Sequence, residues 1–283
     1  QHPARNGTIY CTRWQNGMVV PSAVVGAARR LSMPPDSTAA PAAVTDVNEI
    51  PHARQVLVLA LATLAEQRES DSESHILRVQ NYVLVLAQAL AAQPKFSELL
   101  TPAYIDTLYL SVPLYDMGSI GIPDRILLKP GRLTPDEITI MRTHPTIGHA
   151  AIERAEKTLG RPSPRLTVAK ELVLSHQEKW DGTGYPRALA GTDIPVAARI
   201  MAIADVYDAL ISAKVYKDGV SHDKAVQIIF SERGAHFDPD MVDAFIEIQD
   251  TIAEIAQRYA DTNDDMQRKI EYMANAIAEI AEL

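Results

Sequence analysis

His176–Pro186, read HQEKWDGTGYP, holds one of the chain's 8 histidines, two acids, one of its 2 tryptophans and two glycines within eleven residues. It follows the apolar run Leu172, Val173 and Leu174 and then becomes a loop. Gly182 and Gly184 permit positive φ or a close backbone approach, and Pro186 fixes the chain after Tyr185. A polar, glycine-rich loop leaving a buried helix is a frequent place for site residues. The same stretch also reads as a rigid connector around a buried Trp180.

The rest of the chain narrows the classes. Its 283 residues are enough for one large domain or two small ones, and 47% hydrophobic against 22% charged content is globular. The net charge of −9 argues against DNA or long RNA as partner, though a local basic cluster can still bind a small phosphate ligand. Cys11 is the single cysteine, so no internal disulfide forms and a reducing compartment, the cytoplasm, fits. The longest apolar helical run, Val56–Ala65, is too short to span a bilayer. Residues 18–28 are mildly apolar, but Pro21 and the short length argue against a signal peptide. A start at Gln1 reads as a fragment or a processed form.

Residues 1–46 carry Pro3, Pro21, Pro34, Pro35 and Pro41 with no sustained period, no strand run and no hairpin signal, and are expected to be a disordered tail or linker. Order begins near Asn48. Leu57, Leu61 and Leu64, then Ile76, Val79 and Val83, recur at helical spacing. Asp71 and His75 are four apart, as two ligands of one ion or as an ion pair at a helix start. Residues 102–114 form an apolar helix ending at Asp116, an acid that is either paired or coordinated, or reaches solvent. Thr134 caps a helix with Pro135 at its first position and acids in its first turn; it ends near His144-Pro145, and residues 146–159 form the next. Ile194–Leu210 is the most apolar helix, yet carries Asp205 and Asp208; Asp205, flanked by apolar neighbours, reads as a buried carboxylate with a partner. Residues 239–259 form one stripe. Met266, Ile270, Met273, Ile277 and Ile280 make a 4-3-4-3 seam in a C-terminal helix, 261–283, that packs on the domain or zips to a second copy. The whole reads all-α, with the main domain at 47–260.

Helix ends thus deliver Asp71, His75, Asp116, His144, His176 and Asp205. Imidazoles and carboxylates in an α-domain suit divalent Fe, Mn, Ni or Zn. A carboxylate can bridge two ions, and two ions about 3.5–4 Å apart can activate hydroxide against a phosphodiester.

The wording of SHILRVQNYV (74–83), PLYDMGSIGIPDRILLKPGRLTPDEITIMRTHPTIG (113–148), HQEKWDGTGYPRALAGTDIPVAARIMAIADVYDALIS (176–212), VYKDGVSHDKAV (215–226) and HFDPDMVDAF (236–245) is similar to the HD-GYP family of cyclic di-GMP phosphodiesterases, a branch of the HD metal-dependent phosphohydrolases. The resemblance covers about residues 55–260. It implies a bacterial, cytoplasmic protein, an HD-type bundle of about seven helices, two or three metal ions with Fe or Mn favoured over Zn, and a dinucleotide groove beside Gly184-Tyr185-Pro186. On the family's pattern one ion takes His75, Asp116 and Asp205, with Asp71 at the upstream acid position, and a second takes Asp116, His144 and His176. Lys214 and Lys217 fall at the phosphate-binding positions.

Several positions depart from that pattern. The His-Asp pair is Tyr115-Asp116, the following lysine is Ser119, and the second of two paired histidines is Gln177. Each ion loses one imidazole, and a phenol with a pKa of about 10 is a poor replacement. Lys214 stands where the family has arginine and lacks its bidentate fork. Two functions from different classes follow. One is a signalling module with a depleted metal site and weak or absent hydrolysis, binding cyclic di-GMP or a protein such as a diguanylate cyclase, with a homodimer expected. The other is an active cyclic di-GMP phosphodiesterase yielding pGpG or GMP, with Asp116 bridging the ions. The depleted ligand set favours the first. A purely structural helical dimer is a third reading, which the retained histidines and acids disfavour.

Overall fold

The computed structural model describes residues 12–15, 18–21, 49–68, 73–129, 131–160, 163, 165–212, 219–262, 264–265, 267–268 and 270–272. The chain divides into two units, residues 1–47 and 48–283. In the first, strands β1 (Thr12–Gln15) and β2 (Met18–Pro21) pair antiparallel, with Gln15 opposite Met18. This corrects the expectation of no strand or hairpin in 1–46. Trp14, Val19 and Val20 favour extended chain, and Asn16-Gly17 between the strands in sequence is the strongest short-range hairpin signal.

In the second unit the regular structure of the described residues is helical. It begins with α1 (Glu49–Gln67), α2 (Glu73–Ala91) and α3 (Pro102–Ser111). After two 3-10 turns, Val112–Leu114 and Met117–Gly121, come α4 (Asp124–Leu127), α5 (Pro135–Met141), α6 (His144–Thr158) and α7 (Arg165–Ser175). The chain continues as α8 (Val196–Ile211), α9 (His222–Ser231), α10 (Pro239–Glu247) and α11 (Gln249–Arg258).

α8 is the axis. Residues Val196 to Ala204 are all buried, so this helix is covered on every side. Against it lies α2, whose Val79, Val83, Leu86 and Leu90 follow the 3-4 spacing of one helical face and are fully buried. α3, α10 and α11 cover α2 in turn, and α7 and α9 flank α8. The capping signals behave as their chemistry dictates. Thr134 accepts from the Glu137 N–H while the Glu137 carboxylate accepts from the Thr134 N–H, and Ser221 accepts from the Lys224 N–H.

Three local readings change. α6 begins at His144 rather than 146, with Pro145 at the first turn, where its missing N–H costs nothing. The single stripe over 239–259 is carried by two helices, separated at Ile248. On α1 the inward face is Ala62 and Ala65, while Leu57, Leu61 and Leu64 are exposed. Of the C-terminal seam, Met266, Met273, Ile277 and Ile280 lie outside the described residues.

Candidate metal centre

Asp116 sits at the junction of the two 3-10 turns that follow α3. The second turn lies against the start of α6, and Gly118 makes this possible. A Cβ there would fall 1.9 Å from the His144 carbonyl oxygen, so a larger residue would push Asp116 away from α6. His144 opens α6, and His176 is the first residue after α7. Helix ends therefore supply all three groups, and their ligand atoms lie within 4.8 Å of one another.

The two imidazoles are oriented by the backbone. His144 Nδ1 donates to the Met141 carbonyl at 2.8 Å, and His176 Nδ1 donates to the Val173 carbonyl at 3.0 Å. That fixes both tautomers and leaves the Nε2 lone pairs facing each other, 3.2 Å apart. Two lone pairs at that distance repel unless something positive lies between them. At that separation both nitrogens could reach a single ion at ordinary metal–imidazole distances of about 2.0–2.1 Å. The Asp116 carboxylate is 3.5 Å from His144 Nε2. Both rings are buried. Burial depresses the His144 pKa, and burial followed by the neighbouring His144 pulls His176 down to about 3. Near neutrality both are unprotonated, the form a metal requires. The donor set fits one divalent ion held by Asp116, His144 and His176.

His75 and Asp205 are not part of this group. Tyr115 stands between them: its hydroxyl is 3.0 Å from His75 Nε2 and donates to Asp205 Oδ1 at 2.9 Å. On its other side His75 Nδ1 reaches Asp208 Oδ2 at 2.7 Å. The phenol has one proton. All three contacts are satisfied when His75 carries both ring protons, donating to Asp208 and to the phenol oxygen. Asp208 is buried and takes a bidentate pair from Arg78, 2.6 Å to Nε and 2.9 Å to Nη2. Its His75 and Arg78 neighbours hold its carboxyl well below the ordinary range against the opposing effect of burial. Arg78 also donates to the Tyr259 carbonyl and to Asp261. The deeply buried carboxylate of α8 is thus Asp208; Asp205 is only half-buried. One turn separates the two acids, and apolar neighbours surround both, so the sequence alone does not rank them.

The loop after His176 is built on its own acids. Glu178 accepts from the Arg187 and Leu189 N–H groups at 2.8 and 3.0 Å. Gly184 passes so close to the Glu178–Lys179 backbone that a Cβ would sit 2.3 Å from the Lys179 nitrogen, while Gly182 has φ +81°. The Gln177 carbonyl accepts from the Tyr185 N–H at 3.1 Å, and the Tyr185-Pro186 peptide is cis. Trp180 is half-buried rather than buried, with the Arg199 guanidinium 5.8 Å from its ring. The Tyr185 ring meets His144 edge-on at 6.0 Å, and Arg142 lies over its face at 5.1 Å. Burial, with Asp116 as the next contributor, raises the Tyr185 phenol to about 12. Ser119 is buried, and among the described residues its Oγ has no hydrogen-bond partner. Asp71, Lys214 and Lys217 lie outside the described residues. The sequence reading singled out neither Arg78 nor Arg142, because an arginine on a helix surface looks the same whether it is buried against an acid or solvated.

The HD domain family profile matches residues 54–241. A Vibrio cholerae protein named "Probable cyclic di-GMP phosphodiesterase" is 50% identical over 218 residues, which cover 77% of this chain and 49% of that protein. A second Vibrio cholerae protein, named "Cyclic di-GMP phosphodiesterase", is 53% identical over 214 residues, covering 76% and 43%. The chain spans about half the length of these curated relatives. A crystal structure of a cyclic GMP-AMP specific phosphodiesterase from Vibrio cholerae superposes with a TM-score of 0.52 at 17% identity, covering 81% of this chain and 59% of that one, a likeness of fold.

Proposed function

The chain belongs to the HD domain family, in its HD-GYP branch, and from that premise we propose that it is a cyclic di-GMP signalling domain with one divalent ion and weak hydrolysis. The observation that carries this reading is Tyr115, whose hydroxyl fills the space between His75 Nε2 and Asp205 Oδ1. With that pair engaged, Asp116, His144 and His176 are the three-ligand group that remains among the described residues.

A bound divalent ion supplies Lewis acidity toward a phosphoryl oxygen and lowers the pKa of water. The chain's own residues do the rest. Asp116 contributes negative charge, and the backbone carbonyls of Met141 and Val173 hold both imidazoles with Nε2 facing inward. The loop braced by Glu178 presents Tyr185 beside His144. Ser119 provides no cation where the family has lysine, so charge developing on the phosphate goes less stabilised. Losing one such electrostatic donor costs on the order of a hundredfold in rate.

The test is to measure cyclic di-GMP binding by calorimetry and its turnover by chromatography in the same preparation. We expect binding, with turnover raised about a hundredfold or more in a Tyr115→His, Ser119→Lys, Gln177→His variant. A natural chain that already turns over faster than that variant would contradict the reading. The identity to proteins named as phosphodiesterases, 50% and 53%, favours a second reading, an active phosphodiesterase. In that case the natural chain is fully active, and Asp116→Ala abolishes the activity.

A further inference from the structure

We propose that Arg142 is a phosphate-binding residue of this site, held over the Tyr185 ring with its N–H edge turned to the ligand. The inference rests on the reading above that a cyclic dinucleotide binds here, and it names a residue that reading does not use. Arg142 follows α5 and stands two residues before His144, so the segment that carries one ligand atom also carries this cation. Its guanidinium is 5.1 Å from the centre of the Tyr185 ring, and that ring is edge-on to His144 at 6.0 Å. Arg142 is exposed, and among the described residues no carboxylate pairs with it. Among the described arginines with no carboxylate partner, Arg142 is the one that lies over an aromatic ring; Arg199, over Trp180, is paired with Asp238.

Geometry gives this arrangement a use. A cation over an aromatic face uses the flat side of the guanidinium, leaving the in-plane N–H groups free. Those groups match two phosphate oxygens at once. A cyclic dinucleotide carries two phosphodiester anions. Here they would approach a centre that already bears the Asp116 carboxylate, on a chain of net charge −9, without the lysine that Ser119 replaces. A fixed cation at the rim offsets that repulsion. The Tyr185 ring keeps it from wandering, so little side-chain freedom is lost on binding.

The experiment is a calorimetric titration of cyclic di-GMP into the natural chain, Arg142→Ala and Arg142→Lys, each loaded with Mn²⁺. Guanosine, which has the base and sugar but no phosphate, is titrated in parallel. We expect Arg142→Ala to weaken cyclic di-GMP binding at least tenfold, Arg142→Lys to recover part of that loss, and guanosine affinity to stay within twofold across all three. Metal content and melting temperature should match the natural chain, since the residue is exposed. If the natural chain binds cyclic di-GMP and Arg142→Ala binds it within twofold, the role of Arg142 is overturned while the domain's function stands. Equal losses for guanosine and cyclic di-GMP would also overturn it, because the residue would then be shaping the loop rather than holding phosphate. No binding by the natural chain would instead overturn the functional reading on which the inference rests.

Discussion

Tyr115 differs from an imidazole in two respects that matter here. A phenol oxygen keeps its proton at neutral pH, and its ring reaches farther than that of histidine. The first makes it a hydrogen-bond bridge between His75 and Asp205 instead of a ligand; the second lets it close the gap between them. Replacing Tyr115 with His should free both partners and raise the metal content from about one ion per chain toward two, read by elemental analysis. His176→Ala removes one of the three proposed ligands. It should lower metal affinity by at least tenfold with little change in helix content, checked by competition with a chelating dye. The same residue sets a pH dependence of the metal-free chain. The unfolded chain takes up this proton near 6.5, the folded one near 3. Between those values the unfolded state holds more protons, so stability rises with pH and falls on acidification. Going from pH 7 to pH 5 should cost the metal-free protein about 2 kcal/mol from His176 alone, seen in urea midpoints. Asp208 adds nothing in that window, because an unfolded aspartate takes up its proton only near 3.8.

At the scale of elements, the centre depends on how closely the Met117–Gly121 turn approaches the start of α6. Gly118→Ala places a methyl 1.9 Å from the His144 carbonyl oxygen. The variant should lose about 1–3 kcal/mol and bind metal weakly, because the turn carrying Asp116 must retreat. Arg68 holds the same turn from its other side: it donates to the carbonyls of Ser119 and Ile122 at 3.4 and 3.0 Å, and also bonds the Ile120 carbonyl and Asp124. Much of this was legible in the sequence. Helix-end placement of Asp116, His144 and His176 followed from Pro, Gly and cap signals, which are local and strong. Other features were not. Asp205 and Asp208 share an apolar helix, and only tertiary packing decides which of them faces Arg78. Leu57, Leu61 and Leu64 have core spacing but face outward, since periodicity finds a stripe without saying what covers it. The hairpin signal at Asn16-Gly17 lies among prolines that by themselves indicate irregular chain, so composition masks it.

Across the whole molecule, Arg78 is a tie point. From α2 it pairs with Asp208 of α8 and donates to the Tyr259 carbonyl after α11 and to Asp261. Removing one member of a buried pair leaves the other charge without compensation, so Arg78→Ala should cost about 3–5 kcal/mol. The loss should reach His75 and Tyr115 but leave the Asp116, His144 and His176 group, because Asp208 also fixes His75 and His75 fixes Tyr115. The core pair on α8 thus orders the Tyr115 side of the site.

On the function proposed above, one divalent ion is held by Asp116, His144 and His176. Elemental analysis of protein purified without chelators tests it most directly. The expected result is about one equivalent of Fe or Mn per chain, lost in His176→Ala and retained in His75→Ala. Two equivalents in the natural chain, one of them lost in His75→Ala, would contradict it.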